Sequence, residues 1–277
     1  MSIYSTKYTR YEGAMEPAST RFAVIAETEL RRLYKEKWVR RLFILAWIPP
    51  LFLVGKLYLE LVMGQMMGDE SAPDAVFSML FSSETTFVAI MLAAFGSSMI
   101  NRDIHDKALT LYFTRPVDVD QYLWGKLGAV MATVLSVTLV PGVILALAQL
   151  SMSPKSDLWH FLDITWRLLV VSLINASLVS TLILLMSSLG KSSRFVGFGW
   201  LGIFVFGEIV RGLLTQVLGD VPFLDALSPS RLFIATAEFL LDGDKSALPA
   251  FVSAIALSAL FYLALRVRLG VLKERQT

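Results

Sequence analysis

A chain of 277 residues with 55% hydrophobic and only 17% charged side chains, and a mean hydropathy of +0.62, is poorer in charge than a soluble domain, where about a quarter of residues are charged. Its expected solvent is a bilayer. Twenty-five Lys and Arg against 23 Asp and Glu leave a net charge of +2, which excludes a field strong enough to draw the chain to nucleic acid. The absence of cysteine excludes a disulfide framework, a thiolate metal site and a cysteine nucleophile.

Residues 1–41 are polar and charged, without the early apolar stretch of a signal peptide, so this N-terminal segment is expected to be retained. From Ser19 to Trp38 the apolar residues Phe22, Ile25, Ala26, Leu30, Leu33, Tyr34 and Trp38 recur at steps of three and four, while Glu29, Arg32 and Glu36 mark another face. That pattern predicts an amphipathic helix, capped by Ser19 or Thr20 and lying along the membrane interface.

Crossing roughly 30 Å of hydrocarbon takes about 20 apolar residues. Long intervals between charges predict six spans, at about 42–63, 80–100, 122–150, 167–189, 195–217 and 247–266, within a transmembrane domain 42–268 followed by a tail 269–277. In the first, Pro49-Pro50 predicts a kink, and Lys56 and Glu60 fall in the outer half, where lysine can snorkel toward headgroups. Glu84 is expected near the outer interface of the second.

Between spans two and three, Asn101 to Lys126 predicts a short helix: Asn101 or Asp103 as cap, Ile104, Ala108, Leu111 and Tyr112 on one side, and Arg115-Pro116 as its end. Asp118 or Asp120 can cap span three. From Leu218 to Leu248, Pro222, Ser228-Pro229 and the apolar run Leu232 to Leu241 predict a hairpin or short helix packed into the outer leaflet.

Positive charge resists translocation. Nineteen Lys and Arg fall before span one, between two and three, between four and five, and in the tail, against Lys155, Arg231 and Lys245 on the other side. Both termini are therefore expected in the cytoplasm.

The sequence is poor in catalytic chemistry. Its two histidines, His105 and His160, lie outside the apolar runs, and no HExxH is present, so neither a catalytic residue nor a metal ligand set is expected. Gly190-Lys191-Ser192 is not a phosphate loop, because the position that must hold the first glycine is Leu185. Glu208 and Arg211, three apart within span five, form an intramembrane charged pair that either lines a transport path or closes on itself as an ion pair.

Thr114-Arg115-Pro116-Val117, then Tyr122-Leu123 and Gly125-Lys126 opening a span, resembles the ABC-2 family of exporter permeases, as does the whole layout. The resemblance implies an all-α membrane protein of six transmembrane helices with an N-terminal interfacial helix and a cytoplasmic coupling helix between spans two and three. It implies a multi-pass protein of a bacterial-type inner membrane, in which a second permease copy, identical or related, and two copies of a separate cytoplasmic ABC ATPase complete an exporter. ATP and Mg would be bound by the ATPase, none by this chain, and membrane lipid would be its surroundings. The coupling contact would be Asp103, Ile104, His105, Asp106 and Lys107, anchored underneath by Leu111 and Tyr112. The competing readings are a secondary transporter driven by an ion gradient, which needs midplane charges or paired broken helices, and a non-transporting, ATPase-linked anchor.

Overall fold

The computed structural model describes residues 20–67, 75–114, 117–152, 157–219 and 221–276, and among these the ordered elements are all helical. Hydrocarbon offers no partner to backbone N–H and C=O groups, so an apolar run must satisfy them within its own helix. Among the described residues, six stretches are long and apolar enough to cross a membrane: Lys37–Gly64, Ala75–His105, Val119–Met152, Leu158–Leu189, Ser193–Leu218 and Lys245–Glu274. Each expected span lies inside one of these. The helices run on past the apolar runs because their polar end turns are held by caps and neighbours rather than ended by charge. Asp157, for example, starts the fourth by accepting the His160 N–H at 2.8 Å.

α1 (Arg21–Lys35) ends where Glu36 turns extended, and α2 (Lys37–Ala46) follows, so the single helix expected to Trp38 is two, and Trp38 belongs to α2. Ser19, one of its expected caps, lies outside the described residues; Thr20 stands at the N-cap position. α2 gives way at Trp47 to α3 (Ile48–Met67), the kink expected of Pro49-Pro50, whose missing N–H groups leave carbonyls of the preceding turn without intrahelical donors.

α4 (Ala75–Ala94) tightens into a 3-10 turn at Gly96–Ser98 and resumes as α5 (Asn101–His105). α6 (Ala108–Thr114) is separate: Asp106 and Lys107 form a turn with Lys107 at φ 54°, so the one short helix expected after Asn101 is broken in its middle. Arg115 and Pro116 lie outside the described residues. α7 (Val119–Met152) and α8 (Leu158–Leu189) form the centre of the bundle with α4, and α9 (Ser193–Leu218) lies at its edge.

Of the hairpin and the short helix expected in the outer segment, the structure has the helix. A 3-10 turn (Pro222–Leu227) leads to α10 (Pro229–Ala237), capped by the Ser228 hydroxyl; a wide turn over Glu238–Asp242 and a short 3-10 turn then lead to α11 (Leu248–Gln276). α10 enters the bundle. Phe233 packs on Phe81 of α4 with ring centroids 6.0 Å apart, and Asn175 of α8 donates to the Phe233 carbonyl at 2.9 Å while accepting the Thr236 hydroxyl at 2.8 Å.

Burial divides the spans. In their most apolar stretches, half or more of the residues of spans two to four are buried within the chain, against 17% for the first and 6% for the fifth. The first and fifth spans therefore present most of their apolar surface to whatever surrounds the chain.

Candidate functional site

One end of the bundle holds a buried ion cluster. Lys126, two turns into α7, has no exposed surface; its ammonium lies 2.6 Å from Glu29 Oε1, 2.7 Å from Asp103 Oδ2 and 3.1 Å from the Met99 carbonyl. Three acceptors meet three N–H bonds, which is the condition for burying an ammonium. Tyr122, also without exposed surface, donates its hydroxyl to Asp103 Oδ2 at 2.8 Å. Arg32 adds a longer contact to Glu29, at 3.8 Å.

Local sequence explains the convergence. Ile25, Glu29 and Leu33 stand four apart and form the buried stripe of α1; Tyr122, Lys126 and Val130 stand four apart on α7. The helices approach closely because position 125 is glycine: a Cβ there would come 2.7 Å from Ile25 and 3.0 Å from the Phe22 carbonyl. Glu29, expected on the polar face, is thus inside, since Lys126 needs a carboxylate that α1 alone can bring from that side.

α5 is held from its other flank. The N–H groups of Ile100 and Asn101 both donate to Ser187 Oγ at 3.0 Å, and the Ser187 hydroxyl donates to the Ser97 carbonyl at 2.9 Å. Asn101, expected as a cap, instead donates its amide to the Gly190 carbonyl and accepts the Ser193 hydroxyl at 3.1 Å, bridging the junction of α8 and α9.

The expected coupling residues therefore divide. Asp103 is buried and Ile104 half-buried against the core, whereas His105, Asp106 and Lys107 form an exposed tip between α5 and α6. Tyr112 of α6 stacks at 5.3 Å on Tyr122, and its burial holds the phenol above its ordinary value, so it stays neutral beside the cluster. The Leu111 side chain lies outside the described ones. Of the expected interfacial residues, Ile25 and Leu33 are buried and Leu30 half-buried; Phe22, Tyr34 and Trp38 are exposed, Tyr34 edge-on to Phe43 at 5.9 Å and Trp38 beneath the Arg41 guanidinium at 5.5 Å.

The pair in span five belongs to a second network at the opposite end. Arg211 lies 3.3 Å from Glu208 but 2.6 Å from Asp225, and Glu208 accepts the Ser228 hydroxyl at 2.8 Å. Arg231 reaches Asp225 at 3.5 Å and Glu238 at 2.8 Å. The pair thus ties α9 to the outer segment.

Sequence reasoning missed Glu29, Lys126, Tyr122 and Asp225. The signal was present for the first two: a charge at the centre of an apolar stripe with four-residue spacing needs a buried partner.

What the arrangement does is join three segments of the chain. Breaking a buried ion pair costs about 3–5 kcal/mol, so the cluster fastens α5, α1 and the start of α7 to one another. A helical bundle with six membrane-length spans among the described residues, tied by ion networks toward its two ends, defines a multi-pass membrane protein. Residues 25–210, from α1 into α9, match the family model described as ABC-2 family transporter protein, and the chain belongs to that family of membrane transporter subunits. No curated protein matches the chain.

Proposed function

We propose that this chain is the permease subunit of an ATP-driven exporter, worked from the cytoplasm by two copies of a separate ABC ATPase and paired with a second permease chain, both of its termini cytoplasmic in an inner membrane. The observation that carries the reading is the exposed His105–Lys107 tip, joined through Asp103 to the buried ammonium of Lys126 and through it to α1 and α7. Such an element suits a chain with no nucleotide site of its own: ATP and Mg act on the partner, and work arrives as motion of rigid cytoplasmic pieces. Asp103 is a positioning residue here, and the contact itself falls to His105, Asp106 and Lys107. The apolar surface left open on span one supports a second permease copy.

The test is affinity purification of the full chain from native membrane. An ABC ATPase is expected to accompany it, and His105→Ala with Asp106→Ala is expected to release that ATPase while insertion and thermal stability are unchanged. Cargo movement by the purified chain under a proton or sodium gradient, with no ATPase bound, would overturn the proposal in favour of a secondary transporter. Association with an ATPase whose activity no cargo stimulates would leave an anchor.

A further inference from the structure

A groove of about 390 Å³ runs between α4 and α9 on the flank of the bundle. Its volume falls in the ~300–1,000 Å³ range of ligand clefts. Small residues make it. Gly197 brings α9 against the backbone of Ala93, where a Cβ would stand 2.9 Å from the carbonyl, and Trp200 fixes the crossing by donating its indole N–H to the Ala89 carbonyl at 2.9 Å. Beside that crossing Ala93 and Ala94 leave space that Ile90, Phe198 and Leu201 wall with apolar surface.

One end of the groove is charged. Arg194 lines it, exposed, in the first turn of α9; the α9 face Arg194, Phe198, Leu201 runs inward from it over about 10 Å. Among the described residues no carboxylate pairs with Arg194, whereas Arg211, Arg231 and Arg266 each hold one. Lys191 and the positive end of the α9 dipole add to the same field. This end lies beside Ser97 and Ser193, at the junction of α8 and α9 that Asn101 bridges, where the apolar run of α9 begins.

We infer that the groove binds one anionic phospholipid of the leaflet at the basic end, its acyl chain along Ile90, Ala94, Phe198 and Leu201 and its phosphate on the Arg194 guanidinium. Charge complementarity selects this occupant: a guanidinium presents paired donors matched to phosphate oxygens, and basic pockets between spans recognise anionic headgroups. The inference rests on the membrane reading of the spans and not on the ATPase.

Native mass spectrometry of the full chain, delipidated and then given phosphatidylglycerol or phosphatidylcholine with the same acyl chains, tests it. The wild type is expected to retain one phosphatidylglycerol in preference to phosphatidylcholine. Arg194→Gln should lower phosphatidylglycerol binding at least about tenfold, the loss of one charge-assisted contact, and Arg194→Lys should keep the preference. Ala94→Leu fills the groove and should lower binding of both lipids. Equal retention of the two lipids by the wild type would overturn the site, as would unchanged binding in Ala94→Leu, which would leave a surface charge without a groove.

Discussion

The Lys126 ammonium lies 2.7 Å from Asp103 Oδ2, the first without exposed surface and the second nearly so. With Glu29 on its other side, this one buried cation sits between two carboxylates, Arg32 reaching Glu29 alone and only at 3.8 Å. Lys126→Met is therefore expected to cost more than the loss of either acid. It leaves two like charges buried together, a destabilisation of about 3–5 kcal/mol, whereas Asp103→Asn keeps an acceptor for Tyr122 and leaves Glu29 for Lys126. Thermal unfolding of the detergent-solubilised chain should rank Lys126→Met well below Asp103→Asn. Adding Glu29→Gln and Asp103→Asn to Lys126→Met should restore part of the loss, and an unrestored triple variant would mean that the charges do not set the cost.

Much of the architecture was readable because it depends on what the sequence lacks. Long intervals between charges pointed to the six spans, and the proline pair to the break near Trp47. The ion cluster was not readable in the same way. Its members come from three segments, Glu29 standing 97 residues from Lys126, and periodicity tells which face is buried without telling which charge meets which. Lys126 also carried a competing explanation, as one more positive charge holding a loop on its side of the membrane. The break at Lys107 was hidden for another reason: its backbone is left-handed, while lysine itself favours helix.

That backbone leads to a prediction. A left-handed residue with a Cβ costs roughly 1–2 kcal/mol, most for a β-branched side chain and nothing for glycine. Lys107→Gly should match or exceed the wild type in thermal stability, and Lys107→Val should fall below it. Both remove the same charge, so the difference between them reports the turn alone.

Gly125 sets how closely α1 approaches α7. Gly125→Val would place its side chain where Ile25 now sits and is expected to lift α1 from the bundle. The absence of native cysteine makes this simple to follow. Ile25→Cys should resist a water-soluble maleimide in the wild-type background and react in the Gly125→Val background, and protection in both would mean that α1 does not depend on this contact.

At the opposite end, Arg211 and Asp225 approach to 2.6 Å across 14 residues of chain, both largely shielded from solvent. A double-mutant cycle with Arg211→Gln and Asp225→Asn is expected to give a coupling of about 1–2 kcal/mol, because a partly buried charge-assisted bond exceeds a surface pair. Arg231 remains near Asp225 in the Arg211 variant and should limit its loss, making Asp225→Asn the costlier single change.

Glu84 offers the reverse expectation. It lies on α4 without exposed surface, and neither carboxyl oxygen has a hydrogen-bond partner among the described residues. A polar group buried unpaired costs about 1–3 kcal/mol, which an apolar residue of similar size removes. Glu84→Leu is therefore expected to raise the thermal unfolding midpoint of the solubilised chain, with Glu84→Gln, which keeps a polar head in the same apolar surroundings, gaining less or nothing. A fall in both Glu84→Leu and the isosteric Glu84→Gln as large as that of Lys126→Met would mean that the carboxylate is held by a partner, since the second change alters no shape.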